Sequence, residues 1–288
     1  MTLPKTSLGT AKTFKVYLPA GYVSTGRYPV LYLFRGTVDE WLNPTQDESR
    51  QGRNAVSIYE GLAKQKAVGE MILVFVGLGS DDGQWPGILS NWVSPALAPG
   101  VGTGRFASYL FDDVIPAVDS RYRTVANGQG RALDGFSLGG WAALQAATLQ
   151  PASFASVGAY DGTFPLAGSR DQVKADDGVI KAPFMDAVFG RPRQAGAVAA
   201  TSPANRIWQG ESSQWKRLCW LIEYGPEAAE PSDANFYRGE SLVQILAAHG
   251  GENQLGVRPE GRHNWWTADE HLKTSLPRHW EALRGSRK

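Results

Sequence analysis

Apolar positions along the 288-residue chain fall into two kinds of run. "FKVYL" from Phe14, "VLYLF" from Val30, "MILVFV" from Met71, "SVGAY" from Ser156 and "LCWLIEY" from Leu218 have strand length and strand-forming residues. The runs at Val30, Met71 and Leu218 are nearly continuous, as expected of strands covered on both faces. Helical spacing lies between and after them: "YLFDDVIPAV" from Tyr109, "LGGWAALQAATL" from Leu138, "ESLVQILAAHG" from Glu240 with its glycine stop, and "ADEHLKTSL" near the C-terminus. This alternation predicts an α/β fold, one domain over 1–288 with a mostly parallel central sheet flanked by helices. The stretch 163–214, rich in Gly, Ala, Pro and Arg, breaks the alternation. It reads equally as a loop-and-short-helix insertion or as a lid over a site.

Composition narrows the partners. Apolar residues make up 42%, enough for a sizeable core, and the net charge is +1 with Lys and Arg scattered. Nucleic acid and anionic membrane surfaces are therefore not expected as main partners. The single cysteine, Cys219, excludes an intrachain disulfide and a CxxC-type metal site, and is expected to be buried. No metal or cofactor is predicted. No apolar run reaches the ~18 residues of a membrane span. "MTLPKTSLGTAKTF" has no apolar core of a secretory signal, so the expectation is a cytoplasmic chain as it stands, or a secreted one if a leader was trimmed.

The candidate chemistry centres on "RALDGFSLGGWAALQAA" from Arg131. A strand, "RALD", runs into Gly135-Phe136-Ser137-Leu138-Gly139, and a helix follows. A sharp strand-to-helix turn crowds the positions two before and two after its apex, which glycine tolerates. Such a turn presents Ser137 at the carboxyl edge of the sheet, with the positive end of the helix behind it. A serine needs a base to act as a nucleophile. Of the four histidines, His249 ends a helix, while His271 and His279 are expected on the surface of the last helix. His263, in "PEGRHNWWTADE", follows a short predicted strand "LGVRP" and precedes that helix, which makes it the candidate base. An acid must orient it, and the order nucleophile, acid, histidine points to "GPEAAEPSDANF" after the strand "LCWLIEY". Glu227, Glu230 and Asp233 compete there, with Asp161 in "AYDGT" as a further possibility; spacing does not choose among them. Two backbone amides should receive the oxyanion, those of Leu138 and of Thr37 in "RGTVDEW".

Taken together, "RYPVLYLFRG", "LFDDVIPAVDSRYRT", "GFSLGGWAAL", "QPASFASVGAYDG" and "GRHNWW" resemble the esterase D family of α/β-hydrolases. That group includes feruloyl and acetyl-xylan esterases, enterochelin esterases, S-formylglutathione hydrolases and mycolyltransferases. The resemblance covers nearly the whole chain. It implies Ser137 as nucleophile and His263, followed by Trp265, as base. By similarity to the mycolyltransferase branch, whose glutamate lies four residues before Ala-Asn, it prefers Glu230 as acid, with Glu227 second. Two positions depart from the family. Arg35-Gly36 stands where most members have His-Gly, putting a charge at the pocket, and Asp161 stands where a serine is usual.

The loop "GSDDGQWPGILSNW" lines the site in relatives. Trp41, Trp85, Trp92 and Trp266, with Arg35, are therefore expected to build a substrate-binding cleft for a carbohydrate, phenolic or siderophore-type ester, although each tryptophan taken singly also fits core packing. The reading is a serine carboxylic-ester hydrolase with no cofactor. Its alternatives are an acyltransferase of the mycolyltransferase type and a non-catalytic carbohydrate-binding protein on the same fold. Oligomeric state is not readable from the sequence.

Overall fold

The structure is a computed structural model and describes residues 1–23, 25–80, 82–165, 167–169, 172–173 and 181–284. The predicted strands form its central sheet: β1 (Lys15–Tyr17), β2 (Val30–Arg35), β3 (Ile72–Gly77), β4 (Arg131–Gly135), β5 (Ser156–Tyr160) and β6 (Cys219–Glu223). Their order across the sheet is β6-β5-β4-β2-β3-β1. All neighbours are parallel except β1, which pairs antiparallel with β3 at the edge.

Strand side chains alternate between two buried layers, which explains the unbroken apolar runs. Val30, Tyr32, Phe34, Ile72, Val74 and Val76 enter one core; Leu31, Leu33, Leu73 and Phe75 enter the other. The second layer is closed by α1 (Ala55–Lys64) and the long C-terminal helix α5 (Trp265–Arg284). A capping box starts α1, with Ser57 N–H donating to Asn54 Oδ1 (2.9 Å) and Asn54 N–H to Ser57 Oγ (3.0 Å). The first layer receives the helical stretch α2 over 106–121, α3 (Leu138–Leu149) and α4 (Phe236–Ala248), with His249 at the C-cap of α4.

Three expectations shift. The strand "LGVRP" is reduced to one isolated bridge, Tyr224 with Val257. Cys219 is half-buried, because it opens β6 at the rim of the sheet. Within 163–214, residues 166, 170–171 and 174–180 lie outside the described residues. The described remainder holds a two-strand hairpin and short helices Met185–Phe189, Ala195–Thr201, Pro203–Gln209 and Ser212–Lys216, with Met185, Phe189 and Ile207 buried in the core.

Candidate active site

Ser137 is the apex residue between β4 and α3, at φ 57° and ψ −121°. A positive φ is strained for a side chain with a Cβ and persists only where surrounding bonds fix it. Here Ser137 N–H donates to the Tyr160 carbonyl (3.0 Å), and the Ser137 carbonyl accepts from the Trp141 and Thr163 amides (both 3.1 Å). The glycines make the bend possible. A Cβ on Gly135 would stand 2.3 Å from the Gly139 carbonyl carbon, and one on Gly139 would stand 2.0 Å from the Phe34 oxygen. The Leu138 amide is the first of α3, so no helix carbonyl precedes it as a partner, and the positive end of the helix faces the same spot.

His263 meets this serine from 126 residues downstream, its Nε2 3.0 Å from Ser137 Oγ. Its Nδ1 bonds the Asp161 carboxylate. Asp161 is fully buried, and its Oδ1 also accepts the Asn235 amide at 2.8 Å. The imidazole packs on the Phe136 ring with centroids 4.9 Å apart, which limits how the ring can swing. An Nδ1–H donated to the carboxylate leaves Nε2 free to accept the serine proton.

The preference for Glu230 is therefore corrected in the geometry: the carboxylate on His263 is Asp161, the first residue after β5. Glu230 Oε1 instead accepts the Tyr237 amide (3.1 Å), and Glu227 bonds the Tyr237 hydroxyl. Asp233 holds the backbone of His263, not its ring: its carbonyl and Oδ1 both accept the His263 N–H at 3.0 Å. The physical reason is strand order. β5 is the direct neighbour of β4, and the Ser137 amide already bonds the Tyr160 carbonyl, so Asp161 begins beside the serine.

The other corrections concern side chains expected at the pocket. Thr37 N–H donates to Glu40 Oε1 at 2.7 Å, so this amide is taken by a carboxylate rather than open to an oxyanion. Arg35 pairs with the same carboxylate (2.8 Å) and lies over the Phe136 and Trp265 rings, 4.9 and 5.5 Å from their centroids. Burial lowers its pKa, opposed by Glu40. Trp41 is buried, donates to the Phe34 carbonyl (3.0 Å) and meets Trp265 edge-on; Trp92 is buried and donates to the Ile88 carbonyl (3.0 Å). These two tryptophans are core residues. Trp85 is half-buried, and Trp266 is exposed with the Arg53 guanidinium 3.6 Å above its ring.

His271 and His279 are not surface residues. Both are completely buried, both bond Asp134 at 3.1 Å through Nε2, and Ser275 Oγ adds a third bond at 2.7 Å. They project from α5 at positions i and i+8, with Ser275 between them. Asp134 is buried; burial alone opposes its ionisation, but the two imidazoles hold its pKa well below the usual carboxylate range. His279 Nδ1 also lies 2.8 Å from Ser156 Oγ, giving a second Ser-His-Asp chain. All three residues of that chain have no exposure, so substrate has no route to it. The signal for this cluster was in the sequence: a carboxylate inside the apolar strand "RALD" demands cationic or donating partners.

Comparison with known proteins extends this geometry. A family model described as "Putative esterase" matches residues 5–271. An esterase of Mycobacterium tuberculosis is 27% identical over 253 residues, covering 84% of this chain and 48% of that protein. The chain thus spans about half the length of the mycobacterial relatives it matches. An endo-1,4-beta-xylanase/feruloyl esterase of Xylanibacter ruminicola is 30% identical over 139 residues, 46% of this chain and 17% of that protein. Among solved structures, a ferulic acid esterase superposes with TM-score 0.69 at 20% identity, covering 98% of this chain and 96% of the other. An S-formylglutathione hydrolase from Agrobacterium tumefaciens superposes with TM-score 0.64 at 16% identity, covering 98% and 94%. These structural likenesses establish the α/β-hydrolase fold.

Proposed function

The chain belongs to the esterase family, and on that premise we propose that it hydrolyses carboxylic esters through an acyl-enzyme on Ser137. The observation that carries the reading is the single imidazole of His263, which bonds Ser137 Oγ on one side and buried Asp161 on the other. His263 Nε2 takes the serine proton as Oγ attacks the ester carbonyl. Asp161 holds the ring in the needed tautomer and stabilises the imidazolium that forms. The Leu138 amide, at the start of α3, donates to the oxyanion. His263 then returns the proton to the leaving alcohol, and water repeats the sequence to release the acid.

The substrate class we propose is an ester of a phenolic acid or a carbohydrate. The names of the Xylanibacter relative and of the ferulic acid esterase neighbour support it. Hydrolysis of p-nitrophenyl acetate by the wild type and by Ser137→Ala tests the chemistry: the variant is expected to lose nearly all activity and all labelling by a fluorophosphonate, and equal rates reject the assignment. A panel of methyl ferulate, acetylated xylan and S-formylglutathione tests the substrate class, with ferulate or xylan esters expected to be hydrolysed best.

A further inference from the structure

Behind the triad lies a charged cluster that the ester chemistry does not use. His271 Nδ1 is 2.8 Å from Glu223 Oε2, and His271 Nε2 is 3.1 Å from Asp134 Oδ1. Both partners are carboxylates, which accept hydrogen bonds and do not donate them when ionised. An imidazole that bonds carboxylates through both nitrogens carries both protons and a positive charge. We infer that His271 is a positioning residue for the proposed hydrolysis, an imidazolium tie that holds Ser137, Asp161 and His263 in register. The inference rests on the esterase reading of the site.

Each triad residue hangs from an element that this tie reaches. Asp134 lies on β4 three residues before Ser137, and its Oδ1 also accepts the Gly135 amide at 2.7 Å. Glu223 ends β6, and its carbonyl accepts the Asp161 amide at 2.8 Å. His271 stands on α5, which begins two residues after His263. The ring of Tyr160, the residue before Asp161, stacks on His271 at 5.7 Å. The imidazolium therefore joins β4, β6 and α5 at one point, completely buried.

The charged and titratable groups around it come from every neighbouring element. Asp134 faces it from β4, Glu223 from β6 and Tyr160 from β5. Arg258, in the loop before α5, lies 3.0 Å from Glu223. His279, from α5 itself, shares Asp134. Burial opposes the cation, but the two carboxylates outweigh it and push the His271 pKa up to about 9. Loss of that proton removes one of the two donors and leaves a nitrogen lone pair against a carboxylate. One of the two ties must then open.

The test follows His271 and turnover together in the wild-type protein. Imidazole 15N shifts are recorded between pH 7 and pH 10.5, and kcat and KM for p-nitrophenyl acetate are measured over the same range with spontaneous hydrolysis subtracted. The expected result is a His271 doubly protonated at pH 7, and a kcat that falls as it loses one proton, with KM and near-ultraviolet circular dichroism unchanged. His271→Gln, which keeps an amide donor without the charge, is expected to lower kcat at pH 7 by about 10- to 100-fold and to abolish the alkaline limb. A neutral His271 at pH 7, or a kcat that stays flat while it deprotonates, overturns the inference. So does a loss of near-ultraviolet signal in step with kcat, which reduces the cluster to a stabilising role. The wild-type titration decides the matter where the variant does not fold. Ser137→Ala separates the two levels: a variant that keeps its activity rejects the esterase reading, whereas serine-dependent turnover with a flat alkaline profile rejects only the role of His271.

Discussion

Gly139 and the Phe34 carbonyl approach so closely that a Cβ on Gly139 would stand 2.0 Å from the oxygen. The helix that follows Ser137 is thus packed backbone to backbone on β2, with no room for even a methyl group. Gly139→Ala must push α3 away from the sheet or break the elbow. Overpacking of a tight core costs about 1–3 kcal/mol, occasionally more. The expected outcome is a lower urea midpoint together with a loss of p-nitrophenyl acetate turnover larger than the loss of folded protein. Urea unfolding and single-turnover rates on the same preparation check it; unchanged turnover would show that the elbow geometry is not what presents the serine.

Asp161→Asn removes the charge behind His263 and offers an amide in place of the carboxylate. In a Ser-His-Asp protease the equivalent change costs about 10⁴ in kcat, because the imidazole is held in the wrong tautomer. A loss of the same order is expected here, with the fold preserved. Glu230→Gln and Glu227→Gln are expected to stay within about threefold of wild type, since their carboxylates serve Tyr237. Steady-state kinetics on the three variants decides which carboxylate supports the base; a large loss from Glu230→Gln with little from Asp161→Asn reverses the assignment.

The parts of this molecule that were legible in its sequence are those written in local spacing. The alternation of apolar runs predicted the parallel sheet, and glycines two residues either side of Ser137 predicted the elbow, because both constraints act within a few residues. His263 was legible because it lies in the loop that leads into the last helix, away from any helical pattern. The carboxylate that bonds it was not, since its identity depends on which strand neighbours β4, a property of sheet order. Asp161 left only a faint mark, a lone carboxylate and a glycine at a strand end. His271 and His279 looked like surface residues of a polar helix. Their counter-charge, Asp134, lies some 140 positions away, and nothing local connects the two. Trp41 and Trp92 were misplaced for a similar reason: a tryptophan in a loop-rich sequence gives no sign of which backbone carbonyl its N–H will meet.

The cluster around His271 gives stability a defined pH dependence. Its folded pKa, about 9, exceeds the unfolded value of about 6.5. A raised histidine pKa stabilises fully below the unfolded value. That contribution declines as pH rises and is gone once pH passes the folded value. Stability from this residue is therefore expected to fall between about pH 6.5 and pH 9, by an amount on the order of 3 kcal/mol. Urea unfolding at half-unit steps of pH measures the slope. In His271→Gln the same slope should be absent, and its persistence would assign the dependence to other groups.

Arg50 and Asp269 form a further buried ion pair, bidentate with both bonds at 3.0 Å and both side chains fully buried. The guanidinium also donates to the carbonyls of Glu40, Trp41 and Asn43, the last two at 3.0 Å, and lies 4.4 Å from the Trp265 ring centroid. It thereby fastens the loop after β2 to the first turns of α5, the helix that begins beside His263. Removing one partner leaves an uncompensated charge in the core, which costs about 3–5 kcal/mol. Asp269→Ala is expected to lose that much in urea unfolding. Arg50→Met combined with Asp269→Leu removes both charges; the Glu40, Trp41 and Asn43 carbonyls then lose the guanidinium, although Trp41 keeps the Ala55 amide and Asn43 the Gln46 amide. The double variant is therefore expected to be more stable than Asp269→Ala alone, yet to remain below wild type. A double variant less stable than the single one would mean that the guanidinium's bonds to the loop carbonyls, rather than its charge pairing with Asp269, carry the attachment.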